Sequence, residues 1–86
     1  MSNDKLLLSL YTRAECHLCE DMLLALRKWQ RHYSFDIKIV DIDKDAELTR
    51  RFAARIPVLT FGDNEICQYY LDDNSLIDFF SHIAIQ

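Results

Sequence analysis

Glycine and proline are almost missing from this 86-residue chain, which has one of each, Gly62 and Pro57. A single glycine excludes the P-loop and the dinucleotide fingerprint, because both cradle phosphate with several residues that lack a Cβ. Basic charge is also scarce. Ten lysines and arginines against fourteen aspartates and glutamates leave a formal net charge of −4, whereas a dedicated nucleic-acid binder needs a basic patch to neutralise phosphates. No uncharged stretch exceeds eight residues, against the ~20 that a helix needs to cross a bilayer. The run Leu6-Leu7-Leu8 after Met1–Lys5 is too short for a signal peptide. Cysteine occurs three times, as Cys16, Cys19 and Cys67, where a disulfide-stapled secreted domain carries a larger, even number. These absences predict one soluble, cytoplasmic domain over residues 1–86 whose cysteines are kept reduced or cycle. They also predict neither nucleic acid nor membrane as partner, and the chain is expected to be a monomer.

Half of the residues are apolar and 28% are charged, a globular composition. Leu6 to Tyr11 reads as a buried strand. From Cys16 to about His32, Leu18, Met22, Leu26 and Trp29 recur at spacings of three and four and form one helical stripe. Glu15, Glu20 and Asp21 lie at its start and Arg27, Lys28, Arg31 and His32 at its end, the order that the helix dipole favours. Ser34 to Asp43 reads as a second strand, and Asp45 to Phe52 as a short helix with Asp45 near its cap. Val58 to Phe61 is a third strand, Gly62-Asp63-Asn64-Glu65 a turn, and Ile66 to Leu71 a fourth strand folded back as a hairpin. Asp72, Asp73 and Asn74 offer caps to a last helix carrying Leu76, Ile77, Phe80 and Ile83. The order β-α-β-α-β-β-α predicts an α/β domain with a four-stranded mixed sheet, parallel in its first half and antiparallel at the hairpin.

Cys16-His17-Leu18-Cys19 falls where the first strand ends and the first helix begins. Residues three apart share one side of a helix, which brings the two sulfurs within disulfide distance. At the helix N-terminus Cys16 faces unpaired backbone N–H groups that stabilise a thiolate. Cys19, one turn in, is the resolving thiol. Arg13 and a protonated His17 favour the thiolate, while Glu15, Glu20 and Asp21 oppose it. A structural zinc site is disfavoured, since it wants four ligands and this chain has one such pair, Cys67 and scattered histidines. Glu20 after Cys19 also excludes c-type haem attachment, which needs histidine there.

Pro57 opens the apolar strand in Arg55-Ile56-Pro57-Val58-Leu59. Bond frequencies alone favour a trans Ile56–Pro57 bond, since cis accounts for about 5–6% of X–Pro bonds. A cis bond would instead turn the Ile56 backbone outward, as a free edge for an extended substrate.

The segments Tyr11-Thr12-Arg13-Ala14-Glu15-Cys16-His17-Leu18-Cys19, Val40-Asp41-Ile42-Asp43 and Arg55-Ile56-Pro57-Val58-Leu59 resemble, in order, the glutaredoxin-like branch of the thioredoxin superfamily. The resemblance covers nearly the whole chain. It implies a thioredoxin-like fold, a nucleophilic Cys16, a resolving Cys19 and a cis Pro57 facing them. Two departures stand out. Glutaredoxins commonly carry Cys-Pro-Tyr-Cys, whereas the middle pair here is His17-Leu18. They also hold glutathione partly with a Gly-Gly stretch and an aspartate before the last helix, whereas this chain has Gln68-Tyr69-Tyr70-Leu71-Asp72-Asp73. Asp72 and Asp73 match as partners for a glutathione amine, but the glycines do not, and Tyr69 and Tyr70 narrow the groove.

The expected activity is thiol–disulfide exchange by Cys16 and Cys19 on a disulfide-containing protein or a glutathione mixed disulfide. Tyr11, Arg13, His17, Leu18, Arg55, Ile56, Pro57, Asp72 and Asp73 are the expected substrate contacts, with Arg13 and Arg55 orienting an anionic substrate. No bound cofactor and no metal are expected. Glutathione or a flavin-dependent reductase would supply electrons. The alternatives are a non-catalytic adaptor on the same fold and a scaffold for an iron–sulfur cluster shared by two chains. Asp41-x-Asp43-x-Asp45 mimics a calcium loop but lacks its glycine and glutamate, and so reads as a strand end and helix cap. Cys67 reads as a small apolar filler in its strand.

Overall fold

The computed structural model describes residues 6–84; the N-terminal reading over 1–5 lies outside them. Strand β1 (Leu6–Thr12) leads into helix α1 (His17–Trp29), strand β2 (Phe35–Asp41), a 3₁₀ turn (Ile42–Lys44) and helix α2 (Ala46–Phe52). Strands β3 (Val58–Phe61) and β4 (Asn64–Gln68) and helix α3 (Asp73–Ala84) follow. The sheet order is β2-β1-β3-β4, with β1 parallel to β2 and the other two pairings antiparallel.

Alternation along the strands divides the core into two layers. Leu8, Leu10, Phe35 and Leu59 face α1 and α3, where they meet Met22, Leu26, Leu76 and Phe80. On the opposite face, Tyr11 and Val58 meet Phe52 of α2 and Ile42. Phe52 stacks on Tyr11 with ring centroids 4.3 Å apart, and the guanidinium groups of Arg51 and Arg55 lie over its ring. A short α2 therefore has a firm anchor on the sheet.

Four local features differ from the sequence expectation, each for a physical reason. Leu18 is not part of the buried stripe of α1 but 48% exposed, and Cys19, Met22 and Leu26 fill the inner face instead. Cys19, Met22 and Leu26 define the inward direction, and at about 100° per residue Leu18 falls at the margin of that face. The helix stops at Trp29 because residues 30–33 turn, closing with Tyr33 N–H to Trp29 O. The β3–β4 hairpin is tighter than expected: Phe61 pairs with Asn64, leaving only Gly62 and Asp63 between the strands. Gly62 sits at φ +59, a conformation that a residue without a Cβ adopts at little cost. Finally, β4 ends at Gln68 rather than Leu71, because Tyr69 has φ +71 and cannot continue an extended strand. Among the described residues no helix is long and apolar enough to cross a membrane.

Candidate active site

Sheet topology gathers the candidate residues at one end. β1 finishes there and delivers residues 13–16, β3 starts there, and β4, antiparallel to β3, finishes there with Gln68 opposite Val58. Cys16 caps α1, with its Sγ accepting the Cys19 N–H at 3.2 Å. That bond satisfies one of the helix's orphan donors. Cys16 and Cys19 are joined as a disulfide, with Cα atoms 5.2 Å apart. Cys16 is half-buried, whereas Cys19 is only 4% exposed. The residue before Cys16, Glu15, has φ +58, a strained conformation for a side chain with a Cβ. The strained turn aims the chain from β1 into the cap. His17 and Leu18 stand exposed between the cysteines.

The Ile56–Pro57 peptide bond is cis. The Pro57 carbonyl accepts the Tyr69 N–H at 2.8 Å, while Ile56 takes part in no backbone pairing of the sheet. Tyr69 also donates its hydroxyl to the Ala54 carbonyl at 3.0 Å. One residue after β4 thus braces the segment from Ala54 to Pro57 at two points.

Both expected substrate-orienting arginines already have internal partners. Arg13 bonds Asp43 through two nitrogens. The same contact raises the pKa of Arg13 and holds the Asp43 carboxyl below the ordinary carboxylate range, mainly through the shared hydrogen bond. Arg55 donates to both Glu65 and Gln68. In contrast, Glu15, Glu20 and Asp21 have no cationic partner among the described residues. The rim of the disulfide is therefore acidic.

The two aspartates before α3 also have structural partners. Asp72 accepts from the Asn74 N–H and the Ser75 hydroxyl, and so caps the helix. Asp73 accepts from the Trp29 indole N–H at 3.2 Å. Trp29 is the last residue of α1, more than three turns from Cys16. The structure thus brings Tyr11, Arg13, His17, Leu18, Ile56 and Pro57 to the cysteine end of the sheet and takes Asp73 away along α1. Sequence reasoning missed Asp43 and Glu65 as the arginines' partners. A pairing across thirty positions leaves no local signal.

Two grooves flank the disulfide. One, of about 210 Å³, lies between α1 and the β2 edge and is lined by Leu10, Leu23 and Ile39 beside Arg13, Cys16 and Cys19. The other, of about 230 Å³, lies between α1 and the turn after β4, with Leu18, Asp21 and Ala25 facing Tyr69, Tyr70 and Leu71. Cys67, the remaining cysteine, is unpaired and packs against the larger core, where burial pushes its thiol pKa up. Asp41 and Asp45 cap the 3₁₀ turn and α2, while Asp43 holds Arg13. Among the described residues no three His, Cys, Asp or Glu side chains group as metal ligands.

Comparison with known proteins agrees with this architecture. The solution structure of protein Ne2328 from Nitrosomonas europaea is similar at 36% identity and a TM-score of 0.80, over 92% of this chain and 98% of that one. A malarial protein aligns at 20% identity and a TM-score of 0.62, over 92% and 97% of the two chains. Thioredoxin 1 from Thermosipho africanus TCF52B aligns at 13% identity and a TM-score of 0.61, over 94% and 100%, which shows the shared thioredoxin fold. No curated protein matches the sequence. Residues 7–81 match the Glutaredoxin-like domain (DUF836), and the chain belongs to that family.

Proposed function

We propose that the chain is a thiol–disulfide oxidoreductase. The observation that supports this best is the asymmetric cysteine pair: a half-exposed Cys16 at a helix N-terminus, its sulfur receiving a backbone N–H, bonded to a buried Cys19. In the reduced protein the Cys16 thiolate attacks one sulfur of a substrate disulfide, forming a mixed disulfide and releasing the other sulfur as a thiolate. The Cys19 thiol loses its proton to solvent, attacks Cys16 Sγ and expels the second substrate thiolate. Two electrons pass to the substrate, both released thiolates take protons, and Cys16–Cys19 is left oxidised. The Ile56 backbone, outside the sheet's pairing, is available to an extended substrate beside Pro57.

The cycle needs its dithiol regenerated, so a reducing compartment such as the cytoplasm belongs to the same reading. So does an electron donor, either glutathione or a flavin-dependent reductase. The decisive experiment is a redox titration of Cys16–Cys19 with Cys16→Ser assayed in parallel. A single two-electron transition and loss of disulfide reduction in the variant are expected. Full activity in Cys16→Ser overturns the reading.

A further inference from the structure

Taking the exchange reaction above as given, we infer that the groove between Leu18, Asp21 and the Tyr69–Leu71 turn receives a protein segment carrying an apolar or aromatic residue and a basic residue beside its disulfide, in preference to glutathione. The groove starts inside the Cys16–Cys19 loop, because Leu18 is one of its walls. Leu18 is 48% exposed and Tyr70 68% exposed, and Tyr69 joins them on the same surface. Large apolar side chains held in water around a reactive disulfide favour an apolar contact that covers them. Tyrosine suits such a surface, offering a wide ring at small entropic cost.

Charge decides the chemistry of the occupant. Glutathione brings two carboxylates and one ammonium to a site. Here the two arginines expected to orient an anionic substrate, Arg13 and Arg55, are held by Asp43 and Glu65. The aspartates that resemble the family's amine-binding position are engaged as well, Asp72 in the α3 cap and Asp73 at the Trp29 indole. Among the described residues Asp21 in the groove itself has no cationic partner, and neither have Glu15 and Glu20 on the neighbouring rim. Three free carboxylates repel an anionic tripeptide and attract a lysine or arginine. Tyr69, at φ +71, is braced by its bonds to Pro57 and Ala54, so its ring is held in place as a fixed wall of the groove.

The test is a single turnover of protein pre-reduced with a dithiol and freed of excess reductant. Four disulfides are compared: a peptide mixed disulfide with Phe and Arg beside its cysteine, the same peptide with Gly and Glu instead, oxidised glutathione, and the neutral reference bis(2-hydroxyethyl) disulfide. Reduction of the Phe/Arg peptide is expected to exceed that of the Gly/Glu peptide and of glutathione by about tenfold or more at low salt, and the margin should narrow as salt screens the rim. In Asp21→Asn and Tyr70→Ser, both exposed positions, the ratio of the Phe/Arg rate to the reference rate should fall about threefold or more. Equal rates on glutathione and the Phe/Arg peptide, or unchanged ratios in both variants, overturn the inference while leaving exchange chemistry standing. Failure to reduce any of the four, the neutral reference included, overturns the proposed function itself.

Discussion

Phe52 offers the sharpest test of how this small domain holds its cysteine end in place. Only 4% exposed, it is the main apolar side chain that α2 sends into the smaller core, between Tyr11 of β1, Ile42 and Val58 of β3. It is also the surface on which Arg51 and Arg55 rest, with guanidinium carbons 4.8 Å and 5.3 Å from the ring centroid. Replacing a buried phenylalanine by alanine costs about 3–5 kcal/mol in transfer energy and cavity. A domain of this size has only about 4–13 kcal/mol in total. Phe52→Ala should therefore lose about a quarter or more of the stability and lower Tm by about 15–30 °C. Urea unfolding followed by circular dichroism, with Cys16–Cys19 oxidised in both proteins, measures it. Should the alanine variant fail to fold, Phe52→Leu should still lose about 1–1.5 kcal/mol. A double-mutant cycle with Tyr11→Leu then isolates the stacked pair, with a coupling of about 0.5–1.5 kcal/mol expected. A loss below about 1 kcal/mol in Phe52→Ala would show that α2 is not anchored through this ring, and the account of the smaller core would fail.

Three further outcomes are expected. Asp45→Ala removes the side chain that accepts from the Glu47 and Leu48 N–H groups, and thermal unfolding should show a loss of about 1 kcal/mol. Because Arg13 holds the Asp43 carboxyl below its ordinary value, the folded chain binds that proton less readily than the unfolded one. The pair's contribution is therefore complete above the unfolded value and lost as pH falls through the folded one. Asp43→Asn should differ from the parent by a constant, small amount near neutral pH, and the difference should shrink below about pH 4; a gap that widens on acidification contradicts the pairing. Burial raises the Cys67 thiol pKa, so with Cys16–Cys19 oxidised, iodoacetamide should label native protein at pH 8 about tenfold more slowly than urea-unfolded protein. Equal labelling rates would make Cys67 an open, reactive thiol.

Much of the fold was legible because it rests on local periodicity. The apolar run of β1 and the recurrence of Met22, Leu26 and Trp29 at spacings of four and three need no partner to be recognised. Boundaries were less legible where one backbone angle decides them. Nothing in Gln68-Tyr69-Tyr70 announces that Tyr69 takes a positive φ and ends β4, since tyrosine favours strands. Periodicity gives the spacing of a stripe and not its edge, and for Leu18 the packing of Met22 and Leu26 against the sheet decides which face turns inward. At the site, the CxxC at a strand–helix junction and the lone proline were visible as chemistry. The engagement of Arg13 and Arg55 was not.

The sequence by itself determined the order of elements, the pair of sulfurs one helical turn apart and the acidic balance of the chain. The first two follow from neighbours along the backbone, where spacing alone sets geometry, and the third from composition. Only the tertiary structure decided which charges remain free around that pair. Asp43 lies thirty positions from Arg13 and Glu65 ten from Arg55, and the sheet brings each pair together, cancelling the cations and leaving Glu15, Glu20 and Asp21 exposed. A charge counts at a site only after its nearest opposite charge is known, and that distance is fixed by folding in three dimensions.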